Sequence, residues 1–140
     1  MRDVLQVEVV EHVDALAAAR RLSIRTQGLD GHWKLAQGKE GAAQIVERLG
    51  YVQIDTISVI ERAHDHIIQT RLPGYTRDML GELLASDRRV FEYWTHAAAY
   101  VPMQDFRYYA ARMATAHKWK RDAAWRKDNK KMVRHVLARI

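Results

Sequence analysis

Residues 89–102 have the sequence RVFEYWTHAAAYVP, which predicts two β-strands joined by a short turn. Residues 89–94 and 97–102 carry aromatic and β-branched side chains, which favour strands. Thr95 and His96 alone separate the two segments, and a connection this short is typical of a hairpin. We expect this hairpin to form the wing of a small helical domain.

The segments before the hairpin are predicted to be mostly helical. Residues 51–57, YVQIDTI, alternate in character after Gly50 and predict a short strand. The other predicted elements are an extended lead at 7–10, helices at 14–28, 40–49 and 61–69, and a helix from Thr76 onward. This order of helices, strand, helix and hairpin is found in winged helix-turn-helix domains. We therefore expect a mainly α fold with a small β component, and a winged-helix module over residues 1–102.

Residues 103–140 are predicted to be helical and basic, with helices at 103–114 and 119–140. From Arg107 onward the chain has 11 Lys and Arg residues and two acidic residues. The first 106 residues have 12 Lys and Arg and 15 Asp and Glu. This asymmetry suggests a polyanionic partner, although a solvated basic face would give the same pattern.

The last predicted helix carries an apolar and a basic stripe. The apolar stripe consists of Trp125, Met132, Val136 and Ile140, and the basic stripe of Lys127, Lys130, Lys131 and Arg134. Four cations on one helical face would bind the phosphates of a nucleic acid. Because the apolar stripe reaches Ile140 without a helix-stop residue, we expect residues 103–140 to be the start of a longer, truncated region.

The composition excludes several protein classes. Of the 140 residues 48% are hydrophobic and two are proline, which is typical of a folded domain. The chain has no Cys, so it can form neither a disulfide nor a thiolate metal site. No segment approaches the ~20 apolar residues of a membrane span, and residues 1–11 lack the long apolar core of a signal peptide. We expect a soluble, cytoplasmic protein.

Gln53 and Asp55 are the first candidates for catalysis. On a strand, residues two positions apart project from the same face, so an amide and a carboxylate would stand side by side. Such a carboxylate can stabilise positive charge on a sugar and polarise a water molecule that the amide holds. The alternative is structural: Asp55 would cap a helix beginning at residue 56, and Gln53 would be a surface residue.

Other polar residues are predicted to bind rather than to react. His64 and His66 would diverge on the helix expected there, so no metal site is predicted. His96, at the hairpin turn, could reach a phosphate or a sugar. The residues Arg62, Arg71 and Tyr75 flank the candidate pair and could contact a DNA backbone, with a solvated position as the alternative.

Four segments together resemble a known family. They are ARRLSIRTQGL (19–29), LGYVQIDTISVIERAHDH (49–66), TRLPGY (70–75) and FEYWTHAAAYVPMQDFRYYAARM (91–113). Their combination is similar to the winged-helix DNA glycosylases of bacterial interstrand-crosslink repair, which include azinomycin-resistance enzymes. The resemblance implies a monofunctional glycosylase that excises N7-alkylguanines from double-stranded DNA without metal or cofactor. It also implies that Gln53 and Asp55 form the catalytic motif, and that this chain is the N-terminal portion of such an enzyme.

Two other functions remain open at this point. The chain could be a winged-helix module that binds DNA without chemistry, as transcription regulators do. It could also be a truncated fragment without activity of its own. Base release from damaged DNA distinguishes the glycosylase from both.

Overall fold

The computed structural model describes residues 2–55, 57, 60–116 and 120–139, which divide into two compact units, 1–103 and 104–140. The first unit contains α1 (Arg2–Thr26), α2 (Gly38–Leu49), β1 (Val52–Gln53), α3 (Ala63–Gln69), α4 (Arg77–Ala85), β2 (Val90–Trp94) and β3 (Ala98–Pro102). The second unit contains α5 (Phe106–Ala116), α6 (Lys120–Asp128) and α7 (Lys130–Leu137), and a short 3-10 turn at Met103–Asp105 leads into it.

The three strands form one antiparallel sheet in the order β1–β3–β2. The hairpin pairs Val90 with Pro102 at its base and Trp94 with Ala98 next to the turn, which confirms the hairpin prediction. β1 lies on the other side of β3, where Gln53 is opposite Ala99. Because β3 is central, the turn at its start lies beside the end of β1.

The core of the first unit lies between the helices and this sheet. Ile45 on α2, Ile68 on α3 and Leu83 on α4 are fully buried together with strand residues. Gly41 lets α2 approach the preceding loop, since a Cβ there would lie 2.1 Å from the carbonyl oxygen of Ala36. Each buried aliphatic side chain of this kind contributes about 1.5–3 kcal/mol of hydrophobic stabilisation.

The order α2, β1, α3, α4, β2, β3 is that of a winged helix-turn-helix domain. The helix pair is α3 and α4, and the β2–β3 hairpin is the wing. The prediction of a mainly helical fold with a small β component is therefore confirmed.

Two predictions for the first unit were wrong in their boundaries. The extended lead at residues 7–10 is part of α1, which begins at Arg2 instead of at residue 14. The strand predicted at 51–57 is confined to Val52–Gln53, with one further ladder bond from the N–H of Ile54 to Ala98 O at 2.8 Å. Beyond this bond, Asp55 Oδ1 accepts the N–H of Ile57 at 2.9 Å, a local side-chain contact instead of a ladder bond.

The predicted last helix is broken in the second unit. α6 ends at Asp128 and α7 begins at Lys130, and between them the Asn129 side chain donates to Trp125 O at 2.9 Å. On the apolar side, Trp125, Met132 and Val136 are half exposed, whereas Ile140 lies outside the described residues. No helix in the described part of the chain is both long and apolar enough to cross a membrane.

Candidate catalytic site

Gln53 and Asp55 lie at the end of β1, the edge strand beside the wing. Gln53 is exposed and belongs to the sheet, whereas Asp55 follows the last ladder bond and is half-buried. Neither side chain is sealed in the core, so both can be reached from solvent.

The backbone and the side chain of Asp55 are both held by neighbouring groups. Its N–H donates to His64 Nδ1 at 3.2 Å, and its Oδ1 accepts the N–H of Ile57. These bonds tether the residue from opposite ends. The alternative role of Asp55 as a helix cap concerns a segment in which residues 56, 58 and 59 lie outside the described residues.

Asp55 faces an open depression of about 450 Å³. Its described lining residues are Asp55, Ile57, Ile60, Glu61, Ala63 and His66. Apolar side chains thus lie beside two carboxylates, which suits a ligand that carries both apolar surface and positive charge.

Gln53 faces a different, smaller depression of about 300 Å³. It is lined by Gln27, Leu49, Tyr51, Val52, Gln53, Ile67 and Arg71. Both depressions border α3, through Ala63 and His66 in one and Ile67 in the other. The two candidate residues therefore line different depressions with no described lining residue in common, and they do not stand side by side on a strand as predicted.

The wing brings His96 to the same edge of the sheet. The His96 ring lies edge-on against Tyr51, with ring centroids 5.2 Å apart. Tyr51 directly precedes β1, so the exposed His96 lies close to the strand that carries Gln53.

A buried polar cluster lies behind Asp55, on α3 and the segment that follows it. His64 and Asp65 are buried, Asp65 Oδ1 accepts the hydroxyl of Tyr75 at 2.7 Å, and Arg77 Nε lies 3.4 Å from Asp65 Oδ2. Arg77 also pairs with Glu61 and thereby closes the cluster towards solvent.

The pKa values of Tyr75, Glu61 and Arg77 are shifted within the cluster. Burial, followed by the hydrogen bond to Asp65, raises the pKa of Tyr75, so its phenol stays protonated and donates. The hydrogen bond from Arg77 lowers the pKa of Glu61, which keeps that carboxylate ionised beside the Asp55 depression.

The structure corrects the assignment of Tyr75. It was predicted to contact DNA, but it is buried and its hydroxyl is committed to Asp65. Tyr75 therefore belongs to the interior and not to a DNA-facing surface.

The two arginines predicted to contact DNA differ in their surroundings. Arg62 is exposed directly before α3. Arg71 is half-buried, and its guanidinium donates to Gln27 O at 2.9 Å and to Ile67 O at 2.6 Å. Part of the donor capacity of Arg71 is therefore used to join the end of α1 to α3.

The basic side chains predicted as a stripe gather around one depression of the second unit, although the helix is broken there. Lys127, Lys130, Lys131 and Arg134 are exposed and line a space of about 460 Å³ together with Asp128, Asn129 and Met132. We call these four cations the basic cluster. Their arrangement can attract a phosphate backbone.

Sequence reasoning missed the buried cluster behind Asp55. His64 and Ile68 are four residues apart, as are Ile68 and Leu72, so helical spacing could have placed His64 on the apolar face of α3. Tyr75 carried no comparable pattern. Among the described residues, His64 and His66 do not converge with a third His, Asp or Glu into a group able to hold a metal ion.

A comparison with protein families gives one match. The family model described as DNA glycosylase AlkZ-like matches residues 46–140, a range that includes Gln53, Asp55, the buried cluster and the basic cluster. No solved structure matches the chain.

Proposed function

The chain belongs to the DNA glycosylase AlkZ-like family, and from this premise we propose that it hydrolyses the N-glycosidic bond of N7-alkylated purines. A glycosylase of this family acts on DNA in repair. The proposed substrates are double-stranded DNA with N7-alkylguanine and DNA with interstrand crosslinks formed through that position, and the proposed location is the cytoplasm.

The position of Asp55 is the observation that carries this proposal. Its carboxylate is half-buried at an open depression, and its backbone is fixed by the N–H bond to His64. A carboxylate in this environment stabilises the positive charge that develops on the deoxyribose as the base departs.

One carboxylate is sufficient for a cationic leaving group. An N7-alkylated purine already carries a positive charge, so the electrons of the C1′–N9 bond neutralise it and no acid has to protonate the base. The oxygen of a water molecule then bonds to C1′, and its proton passes to Asp55 or to solvent. The products are a free alkylated base and an abasic site.

The proposed role of Gln53 is to orient the attacking water. Its depression and that of Asp55 both border α3, and the amide would hold the water from its own depression. We expect Gln53 to contribute less than Asp55, because it does not line the Asp55 depression.

DNA would be held by cationic and polar side chains of each unit. In the first unit the proposed contacts are Arg62, the remaining donors of Arg71, and His96 on the wing. In the second unit they are the four cations of the basic cluster. Contacts of this kind position DNA without selecting its sequence.

The test is base release from a duplex with a single N7-methylguanine, measured by chromatography of the free base. The proposal predicts release of that base and an intact abasic strand, with no release from the undamaged duplex. A second duplex with an N7-linked crosslink tests whether both linkages are opened. Binding to the damaged duplex without release would instead support a non-catalytic winged-helix DNA-binding module.

A further inference from the structure

The edge position of β1 leaves the N–H of Asp55 without a strand partner. Successive N–H groups in an antiparallel ladder point in opposite directions, and that of Ile54 already points to Ala98 on β3. The next N–H therefore points away from the sheet. His64 Nδ1 accepts it there at 3.2 Å, in place of a strand carbonyl.

This contact fixes which nitrogen of His64 carries the proton. An acceptor at Nδ1 must have a free lone pair, so the proton of the neutral ring is on Nε2. Nε2 lies 3.6 Å from Asp65 Oδ2, so a proton there faces a carboxylate. The ring is also buried edge-on against Tyr100 of β3, with centroids 5.6 Å apart.

Asp65 is held in turn by the groups around it. The Tyr75 hydroxyl donates to one carboxylate oxygen and Arg77 Nε approaches the other. Both oxygens therefore have a partner, and the carboxylate that faces His64 has a defined orientation.

We infer that His64 is a positioning residue, which sets the place of the Asp55 carboxylate through the backbone of Asp55. It would act on the reaction without touching the DNA, and Asp65 and Tyr75 would hold its ring. The inference rests on the proposed function of Asp55, and it extends that function to side chains assigned no catalytic role above. A displacement of about 1 Å in a reacting group can slow an enzyme about 100-fold.

Two substitutions of His64 test whether the Nδ1 acceptor matters, as distinct from the size of the imidazole ring. Asn at position 64 can place its amide oxygen near the position of Nδ1, so H64N keeps an acceptor for the Asp55 N–H. Gln is longer, so H64Q places its amide near Nε2 and keeps only the contact towards Asp65. Both replace the ring by a neutral amide, and each is the matched control of the other.

The experiment compares both variants in the full chain by two readouts. The first is hydrogen exchange of the Asp55 amide, measured by NMR. The second is the single-turnover rate of N7-methylguanine release at saturating DNA, with the half-saturating DNA concentration determined in the same series. We expect H64N to keep the amide more protected and to release base about 10-fold faster than H64Q, at equal half-saturation.

Equal amide protection and equal release rates in H64N and H64Q would overturn the inference. So would a difference confined to half-saturation, because a positioning residue for chemistry changes the rate at saturation. If the parent chain released no base, the proposed function would fail, while the exchange comparison would still decide whether His64 holds Asp55.

Y75F is a second test, which still applies if H64Q does not fold. It removes only the hydroxyl that holds Asp65, and we expect a lower saturated release rate with an unchanged half-saturation. An unchanged saturated rate in a folded Y75F would count against the cluster as a support for Asp55.

Discussion

The two units of the chain differ in what they bury. The first unit surrounds a hydrophobic core and also buries the ionisable side chains His64 and Asp65, whereas none of the described side chains of the second unit is buried. The excess of positive charge, by contrast, lies in the second unit. Burial holds side chains in place and exposed charge attracts a polyanion, so we expect chemistry from the first unit and affinity from the second.

The largest expected effect is that of D55N. Replacing the carboxylate by an amide removes the charge that stabilises the developing cation, so the release of N7-methylguanine should fall about 1,000-fold. Affinity for the same duplex should stay within about twofold of the parent value, as measured by fluorescence anisotropy. D78N is the matched control, because Asp78 is an exposed acid on α4 and its replacement should leave the rate unchanged.

The next effect concerns the basic cluster. Replacing its four cations, Lys127, Lys130, Lys131 and Arg134, with Gln should weaken DNA binding and flatten its dependence on salt. The slope of log affinity against log salt should fall by up to about 0.9 for each lost phosphate contact.

The control for the basic cluster changes exposed cations of the first unit. Replacing Arg20, Arg21 and Arg25 of α1 with Gln should leave the salt slope close to that of the parent. An equal loss of slope in the two variants would show a diffuse charge effect instead of a binding surface.

A third expected effect is on the stability of the first unit. Gly28 has a φ of +66°, and a Cβ there would lie 2.3 Å from the Trp33 ring, so G28A should lower the free energy of unfolding by about 3 kcal/mol. Gly31 has a similar φ of +74° in open space, so G31A should cost only about 1 kcal/mol. Chemical denaturation measures both, and equal losses would contradict the packing described around Trp33.

The smallest expected effect is the pH dependence of the Glu61–Arg77 ion pair. The pKa of Glu61 is lowered in the folded chain, so the pair stabilises the fold at neutral pH. This contribution is lost as the pH falls below the ordinary pKa of glutamate towards the lowered one. The thermal midpoint of the parent should therefore exceed that of E61Q at pH 7, and the difference should shrink on acidification. A difference that grows in acid would have the wrong sign.

Local patterns were sufficient to predict most of the fold. The hairpin at 89–102 and the helices at 40–49 and 61–69 follow from spacing and turn residues, and the structure confirms them. The strand predicted at 51–57 is present but is confined to Val52–Gln53. Two element boundaries differ from the prediction, and each lies beside a side-chain hydrogen bond that spacing does not show. Asp55 Oδ1 accepts the N–H of Ile57 just after β1, and the Asn129 side chain donates to Trp125 O where the last predicted helix is broken.

The candidate site was less predictable than the fold. The sequence identified Gln53 and Asp55, but it did not show that they face different depressions. Contacts between residues far apart in the chain set the rest, such as the bond from Tyr75 to Asp65 and the approach of Arg77 to the same carboxylate. Local sequence does not distinguish such polar residues from surface residues, because only the tertiary fold brings their partners to them.

The most direct test of this division between the units is a saturation series of single-turnover base release. The parent, D55N and the Gln variant of the basic cluster are titrated against one N7-methylguanine duplex at fixed salt. D55N should lower only the release rate at saturating DNA. The cluster variant should raise only the DNA concentration needed for saturation. A cluster variant that stays slow at saturating DNA, or a D55N chain as fast as the parent, would contradict the account.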